Sequence, residues 1–131
     1  MASKISFKVE NHVLSCFVIG ERSIDEALKY WGQLIKKCQQ EDISRIQMNL
    51  AVTGRFSPFE AIQNYQAIID LLKQVDLKIA LVDLNQISAP DTQVGCNMGA
   101  SQGLNMCLFN SEQKARSWLL ADSDNFSQSA R

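Results

Sequence analysis

The sequence predicts an α/β domain: a five-stranded, mainly parallel sheet with an antiparallel edge hairpin and four helices, in the order β-β-α-β-α-β-α-β-α. Two observations lead to this fold class. Short stretches with strand-like apolar patterns are separated by longer stretches whose apolar residues recur at helical spacing. Serine-based helix-capping signals also follow the strands, at Ser23, Ser57, Ser88 and Ser111. Strands that alternate with helices favour a parallel sheet with right-handed crossovers.

The chain opens with a predicted hairpin. Residues 5–9 alternate apolar and polar, as in a half-buried strand, and residues 12–19 form a longer strand. Glu10 and Asn11 are the predicted turn between them. A first helix of about 18 residues then begins at Ser23, and it covers one face of the sheet. Its apolar side carries Ile24, Leu28, Trp31, Ile35 and Cys38.

The third strand and the second helix follow. Residues 45–50 are the predicted strand, and residues 51–56 are the predicted loop after it. Ser57 begins the second helix with unusually complete signals, since Pro58 stands at the first helical position and Glu60 at the third. The predicted buried stripe of this helix consists of Phe59, Ile62, Ile69 and Leu72.

The second half of the chain repeats the alternation. Residues 77–82 are almost continuously apolar, which is typical of a central strand covered on both faces. Ser88 begins a third helix that fades near Gly103, and residues 104–109 form the fifth strand. Ser111 begins the last helix. Residues 1–121 therefore form one predicted domain, followed by a polar, serine-rich tail, residues 122–131, that we expect to be flexible.

Composition excludes several classes of protein. With 13 basic and 14 acidic residues interspersed along the chain, there is no basic excess or stripe of the kind that nucleic-acid binding requires. The apolar stretches are too short to span a bilayer, and no apolar signal segment precedes the first strand, so we expect a cytoplasmic protein. Four widely spaced cysteines are expected to be reduced and mostly buried thiols: Cys16, Cys38, Cys96 and Cys107.

Short strings add a family resemblance to this element order. They are ISFKV and HVLSCFVI in the opening hairpin, then RIQMNLAVTGRFSPFEAI, LKIALVDL and the closing FNSEQKARSWL. Over roughly residues 4–120 the chain resembles the STAS-domain family, and in particular the SpoIIAA-like group of small stand-alone bacterial proteins. The resemblance implies a domain used for regulation or binding, with no cofactor. In STAS regulators a serine at the start of the second helix is phosphorylated; Ser57 lies near that place, although the surrounding family motif is absent.

The residues give little sign of catalysis or of a metal site. His12 is the single histidine, and an exposed turn residue is the plain interpretation of its position. Asp83 ends the central strand as a lone acid, and no second carboxylate is placed by the sequence to work with it. The cysteines lack the short spacing of zinc ligands, and no phosphate-binding glycine loop follows a strand. The sequence therefore predicts a protein that is not an enzyme.

The candidate binding residues lie at one edge of the predicted sheet. Ligands of open α/β sheets bind beyond the carboxyl ends of the strands, and there the chain offers Thr53, Arg55, Ser57 and Asp83. Arg55, next to a capped helix start, could hold an anion or contact a partner. Three interpretations of Ser57 stay open: a helix cap alone, a contributor to such a site, or a phosphorylated residue.

The third helix is unusual because Gly95, Gly99 and Gly103 recur every four residues. Each interior glycine weakens a helix by about 1 kcal/mol relative to alanine, so a compensating contact is expected. Tight packing on the chain's own sheet, a dimer contact, and a shift of the helix that opens a pocket over Met98, Met106 and Phe109 are all compatible with the pattern.

Two functions follow from the sequence. The first is a cytoplasmic interaction or regulatory module without catalysis, whose protein partner is unknown. The alternative is a carrier of a small apolar or anionic ligand, and an enzyme is less favoured than either. The edge hairpin and the third helix each allow a homodimer. An enclosed cavity beneath the third helix favours the carrier, whereas a filled core with an exposed apolar patch favours the module.

Overall fold

The computed structural model has the predicted α/β architecture, with one five-stranded sheet and four helices. It describes residues 4–85 and 89–121. The elements in chain order are β1 (Lys4–Glu10), β2 (Val13–Glu21), α1 (Ile24–Glu41), β3 (Arg45–Thr53), α2 (Pro58–Leu72), β4 (Lys78–Asp83), α3 (Ala89–Ser101), β5 (Asn105–Phe109) and α4 (Glu112–Leu120).

The strands lie side by side in the order in which they occur along the chain. β1 pairs with β2 in the antiparallel direction, and the three remaining pairings are parallel. Because every right-handed crossover then moves in the same direction across the sheet, α1, α2 and α3 come to lie on one face. α4 follows the last of the described strands, and it packs on the opposite face.

The core has a large layer and a small one. Alternate residues of β3, such as Ile46, Met48 and Leu50, face the three crossover helices and form the large layer. The small layer lies under α4, where Ala115 and Leu119 pack with apolar residues of β2 and β4. β4 is therefore covered on both faces, as its continuous apolar run predicted.

The capping predictions are confirmed for α1, α2 and α4, whose N-cap residues are described. Ser23 and Ser111 accept hydrogen bonds from the backbone of Glu26 and Lys114, and α2 begins with a complete capping box. The predicted cap at Ser88 and the predicted tail, residues 122–131, lie outside the described residues. Within α1 the fully buried positions are Ala27, Trp31, Leu34 and Cys38, whereas Ile24, Leu28 and Ile35 are half-buried.

Two predicted boundaries were wrong. The hairpin turn consists of Asn11 and His12 rather than Glu10 and Asn11, because both turn residues adopt left-handed backbone with φ of 53° and 62°. His12 is exposed in this turn, as expected. Residues 51–53 were predicted to be loop, but they continue β3 because they pair with residues 19–21 of β2.

The predicted buried stripe of α2 was half wrong. Ile69 and Leu72 are buried, but Phe59 and Ile62 are 71% and 57% exposed. The helix instead buries Ala61 and Tyr65. Tyr65 turns inward because its hydroxyl accepts a hydrogen bond from Arg22 inside the protein. Tyrosine is readily buried when its hydroxyl has such a polar partner.

A polar network lies between the sheet and α4. Asn49 and Gln47, both on β3, are 0% and 2% exposed, and the Gln47 amide donates to the Asn49 side-chain oxygen. Asn49 donates to the backbone carbonyl of Cys16, and Arg116 of α4 donates to Gln47 at 3.1 Å. These bonds satisfy polar groups that burial would otherwise penalise, and they fix α4 on the sheet.

Candidate functional site

Arg22 is the centre of a polar cluster at the carboxyl ends of the strands. It directly follows β2, and its side chain is only 9% exposed. Nε donates to the carbonyl of Gly54 at 3.2 Å, and the terminal nitrogens donate to the hydroxyls of Tyr65 at 3.2 Å and Thr92 at 3.4 Å. One side chain thus ties the end of β2 to the β3–α2 loop, to α2 and to α3.

Asp83 provides the opposite charge in this cluster. Its carboxylate, 1% exposed, lies 3.8 Å from a terminal nitrogen of Arg22. The hydroxyl of Thr92 donates to it at 2.5 Å, and the backbone N–H of Asn85 donates at 2.9 Å. A buried charge requires such compensation. Asp83, predicted as a lone acid, is thus held in place by a cation, a hydroxyl and an amide.

A second ion pair lies at the surface of the same edge. Arg55 makes two hydrogen bonds to the carboxylate of Asp91, at 3.0 and 3.2 Å. Asp91 stands in the first turn of α3, where the helix dipole favours negative charge. The hydrogen bond to Asp91 raises the pKa of the Arg55 guanidinium above its ordinary value. An anion bound at Arg55 would compete with this carboxylate, and such binding stays a prediction.

Thr53 and Ser57 have local partners. The Thr53 hydroxyl donates to the carbonyl of Gly20 at 3.5 Å, at the far end of the β2–β3 pairing. Ser57 accepts from the backbone of Glu60, whose carboxylate in turn accepts from the backbone N–H of Ser57. These bonds lower the pKa of Glu60. Of the four predicted site residues, the structure places Asp83 in the buried cluster, whereas Arg55 pairs with Asp91, Thr53 with Gly20 and Ser57 with Glu60.

A partly open cavity of about 70 Å³ lies beneath this cluster, between α1, α2, α3 and the sheet. Its polar end contains Glu21, Arg22, Ser23, Tyr65 and Thr92. The rest of the wall is largely apolar and aromatic: Ala27, Tyr30, Trp31, Leu50, Val52, Phe56, Ile68, Ile69, Leu72, Leu81, Gly95, Cys96 and Met106. An apolar chamber with a few converging polar groups is the usual form of a small-molecule site.

Aromatic side chains shape the polar end of the cavity. Phe56 and Tyr65 meet edge to face with ring centroids 5.9 Å apart. The guanidinium carbon of Arg22 lies 5.9 Å from the centroid of the Phe56 ring. Burial raises the pKa of Tyr65 to about 12, so the hydroxyl stays protonated as a hydrogen-bond donor over the physiological range.

The glycines of α3 are explained by close packing within the chain. A Cβ at Gly95 would lie 3.0 to 3.2 Å from the ring of Tyr65, and one at Gly99 would collide with the sulfur of Met106. Gly103 has a φ of 96° just after the helix, where a side chain would be strained. The bare stripe lets α3 approach α2 at Gly95 and β5 at Gly99, so the predicted packing on the sheet is found at Gly99, while Gly95 packs on a helix instead.

The thiols have the expected character. Cys16, Cys38 and Cys96 are buried, and Cys107 on the edge strand β5 is exposed. Burial raises the pKa of Cys16 and Cys96 to about 12 and that of Cys38 to about 11. Cys96, although it lines the cavity, is therefore an apolar wall rather than a nucleophile, since the thiolate is the reactive form.

Thiol labelling should separate these residues. In the folded protein at mildly alkaline pH, we expect one thiol to react quickly with Ellman's reagent and three to react only as the chain unfolds. The Cys107→Ser variant should lose the fast phase and keep the slow one. A fast phase that persists in this variant would show that a buried thiol is accessible.

The central residue of the site was missed from the sequence. Arg22 directly follows β2 and Asp83 is the last residue of β4, but site residues were predicted from the sequence only at the ends of the third and fourth strands. Its partners Gly54, Tyr65 and Thr92 lie 32, 43 and 70 positions away. The available signal was its place at the carboxyl end of a parallel strand, next to the capping Ser23.

Comparisons with known proteins do not assign the chain to a family. No protein-family model matches it, and no curated protein is significantly similar. Within residues 4–85 and 89–121, no group of three His, Cys, Asp or Glu side chains could hold a metal ion. None of the helices in this described part combines the length and the apolar character needed to cross a bilayer.

Proposed function

We propose that the protein binds a small, mainly apolar molecule in the cavity beneath Arg22 and does not transform it. The observation that supports this function is the combination of an apolar chamber with a polar cluster at one end. The cavity lies at the carboxyl ends of the parallel strands, where open α/β sheets bind their ligands. Of the two functions that the sequence left open, the carrier is the one that such a cavity favours.

The volume limits the size of the ligand. An apolar cavity of about 150 Å³ takes up benzene, and the chamber here has about half that volume. The chamber therefore accommodates an apolar group smaller than benzene. The apolar part of the ligand is therefore a short aliphatic chain, with its polar end directed at Tyr65 and Thr92.

The charges favour a neutral polar end. Arg22 faces Asp83, and Arg55 is bonded to Asp91, so each of the two guanidinium groups at this edge already has a carboxylate. A carboxylate or phosphate ligand would meet both acids as well as both arginines. A hydroxyl or carbonyl group needs only the hydrogen-bonding partners that Tyr65 and Thr92 offer. We therefore place neutral short-chain alcohols and carbonyl compounds ahead of anions.

An interaction module is the second candidate, and a different observation favours it. Phe59 and Ile62 are exposed on the first turns of α2, close to Arg55 and Ser57 in sequence. Large apolar side chains at a surface are typical of contact sites. The resemblance to the SpoIIAA-like group supports the same proposal, with a cytoplasmic protein as the partner. If this candidate is correct, replacing Phe59 and Ile62 by serine should abolish partner binding and leave cavity binding unchanged.

Titration with 1-propanol tests the proposed function. At about −1 kcal/mol per non-hydrogen atom, we expect a dissociation constant of about 1 mM. In NMR spectra, the amide signals of Thr92 and Gly95 should shift and then saturate. Ala27→Leu fills the cavity from α1 and should abolish these shifts, whereas the same change at Ala100, on the exposed side of α3, should preserve them.

The outcomes are distinct. Saturable shifts in the wild type and in Ala100→Leu, but not in Ala27→Leu, support the cavity as the binding site. Shifts that rise linearly with alcohol concentration in all three proteins would contradict it, because they indicate a solvent effect. Thermal unfolding of each variant shows whether Ala27→Leu is folded, and an unfolded variant is replaced by the smaller change Ala27→Val.

A further inference from the structure

The outer strand of the hairpin carries an unusual surface. β1 occupies one end of the sheet order and pairs with β2 alone among the described strands. Six of its seven residues are exposed, and two of these are large and apolar: Phe7 at 38% and Val9 at 45%. An edge strand with apolar side chains is a template on which another strand can pair.

The turn determines which backbone groups of β1 point outward. Left-handed backbone at Asn11 and His12 gives a type I′ turn, which closes on the hydrogen-bonded pair Glu10 and Val13. Bonded and non-bonded pairs alternate along an antiparallel ladder. Lys4, Ser6, Lys8 and Glu10 therefore bond to β2. The N–H and C=O groups of Ile5, Phe7 and Val9 point away from the sheet.

We propose that two copies of the chain associate by antiparallel pairing of their β1 strands, centred on Phe7. In this register Phe7 lies opposite its own copy, and Ile5 lies opposite Val9. All three residues have outward-pointing backbone groups, so the pairs are hydrogen-bonded pairs and six bonds form across the interface. A twofold axis through the Phe7 pair makes the interface isologous and closed, as in most dimers.

The side chains fit the same register. Lys4 lies opposite Glu10 of the second copy, and the symmetry repeats this pairing of opposite charges at the other end of the strand. Ile5, Phe7 and Val9 stand on the face that carries the crossover helices, because they lie directly across from residues 18, 16 and 14 of β2. Each copy therefore contributes three apolar side chains to one continuous stripe across the interface.

Lysines on an edge strand usually discourage pairing. Here Lys8 already lies 3.5 Å from the carboxylate of Glu10 in its own strand, and Arg116 lies 3.4 Å from the same carboxylate group. Glu10 thus acts as an acidic centre for neighbouring cations. It can accept Lys4 of the second copy on the side that faces away from the sheet.

Sedimentation velocity on the full chain, from micromolar to millimolar concentration, tests the dimer. The wild type should show a reversible monomer–dimer equilibrium. Phe7→Lys places two like charges on the twofold axis and should weaken the dimer by about tenfold or more. The matched control is Val94→Lys, which changes an apolar residue of similar exposure, 42%, on α3. This control should dimerise like the wild type.

A charge exchange tests the register. Lys4→Glu alone and Glu10→Lys alone each place like charges opposite one another and should each weaken the dimer. An equimolar mixture of the two variants should dimerise better than either alone, because the glutamate introduced in one variant then lies opposite the lysine introduced in the other. In a parallel, in-register pairing each of these positions would already face its own copy in the wild type, so neither single variant would dimerise more weakly than the wild type.

The contradicting results are equally definite. A wild type that stays monomeric at millimolar concentration overturns the proposal. A dimer that is weakened by Val94→Lys and not by Phe7→Lys assigns the contact to α3 instead. Failure of the mixture to recover, while both single variants remain folded by circular dichroism, rejects this register. None of these results depends on whether the cavity binds a ligand.

Discussion

Replacing Arg22 by methionine is expected to lower the free energy of unfolding by about 3 kcal/mol. The substitution keeps an unbranched apolar stem but removes the cation that faces the buried carboxylate of Asp83. It also removes the hydrogen bonds to Gly54, Tyr65 and Thr92, which hold two loops and two helices together. Urea unfolding monitored by circular dichroism measures the change.

The matched control is Arg55→Met. Arg55 also pairs with an aspartate at this edge, and the side chain of Asp91 is only 10% exposed, but that of Arg55 is 55% exposed, so solvent partly screens the pair. We expect a clearly smaller loss of stability than in Arg22→Met. The double variant Arg22→Met/Asp83→Asn should be more stable than Arg22→Met alone. Asparagine is uncharged, so no carboxylate is left buried without its cation. If the two arginine variants were equally stable, Arg22 would not be the organising residue of the site.

Replacing Trp31 by alanine is expected to cost about 3–5 kcal/mol, the range for a large aromatic residue in a core. Trp31 is 5% exposed and forms part of the cavity wall, so its removal enlarges an existing space rather than creating an isolated one. Indole has the shape of the deleted group and should bind there. At tenfold excess over its dissociation constant, it should restore about 1.4 kcal/mol.

The second tryptophan is the control for this experiment. Trp118 of α4 packs against Phe109 on the opposite side of the sheet, with Lys78 4.6 Å from its ring centroid. Trp118→Ala should also destabilise the protein, but indole should not rescue it, because the residue is half-exposed and no enclosed space remains. Equal rescue of both variants would mean that indole acts nonspecifically. No rescue of either would contradict an enlarged cavity at Trp31.

Local signals explain why the architecture could be predicted from sequence. The serines at positions 23, 57 and 111 cap helices through hydrogen bonds to a residue three positions later. Both partners of each bond therefore stand in one short sequence motif. The continuous apolar run of β4 likewise reflects burial on both faces. The parallel direction of the strands follows from the alternation of strands and helices along the chain and from the handedness of the crossovers. Neither requires knowledge of particular contacts.

The buried face of α2 could not be predicted in the same way. Phe59, Ile62, Ile69 and Leu72 are large apolar residues at helical spacing, and the sequence therefore predicts that they are buried. The structure buries Ala61 and Tyr65 instead. Tyr65 contacts Arg22, Phe56 and Gly95, which come from three other parts of the chain. A tyrosine whose hydroxyl is hydrogen-bonded packs as a large apolar residue. The sequence does not show whether a distant residue will provide that hydrogen bond.

The site was only partly predictable for the same reason. Asp83 could be predicted because the end of a strand is recognisable from the neighbouring residues in the sequence. The cavity depends on the distances among three helices and on glycines that set those distances, Gly95 and Gly99. The repeat of these glycines was visible, but the sequence could not distinguish internal packing from a dimer contact. Packing against Tyr65 and Met106 decides for the internal explanation.

Xenon binding tests the cavity most directly, because xenon occupies small apolar cavities without needing a polar partner. Crystals of the protein pressurised with xenon should show one atom enclosed by Trp31, Leu81 and Cys96, beneath Arg22. The Ala27→Leu variant should show none at this place. Wild-type crystals in which side chains fill this space and xenon does not enter it would contradict the proposed binding site.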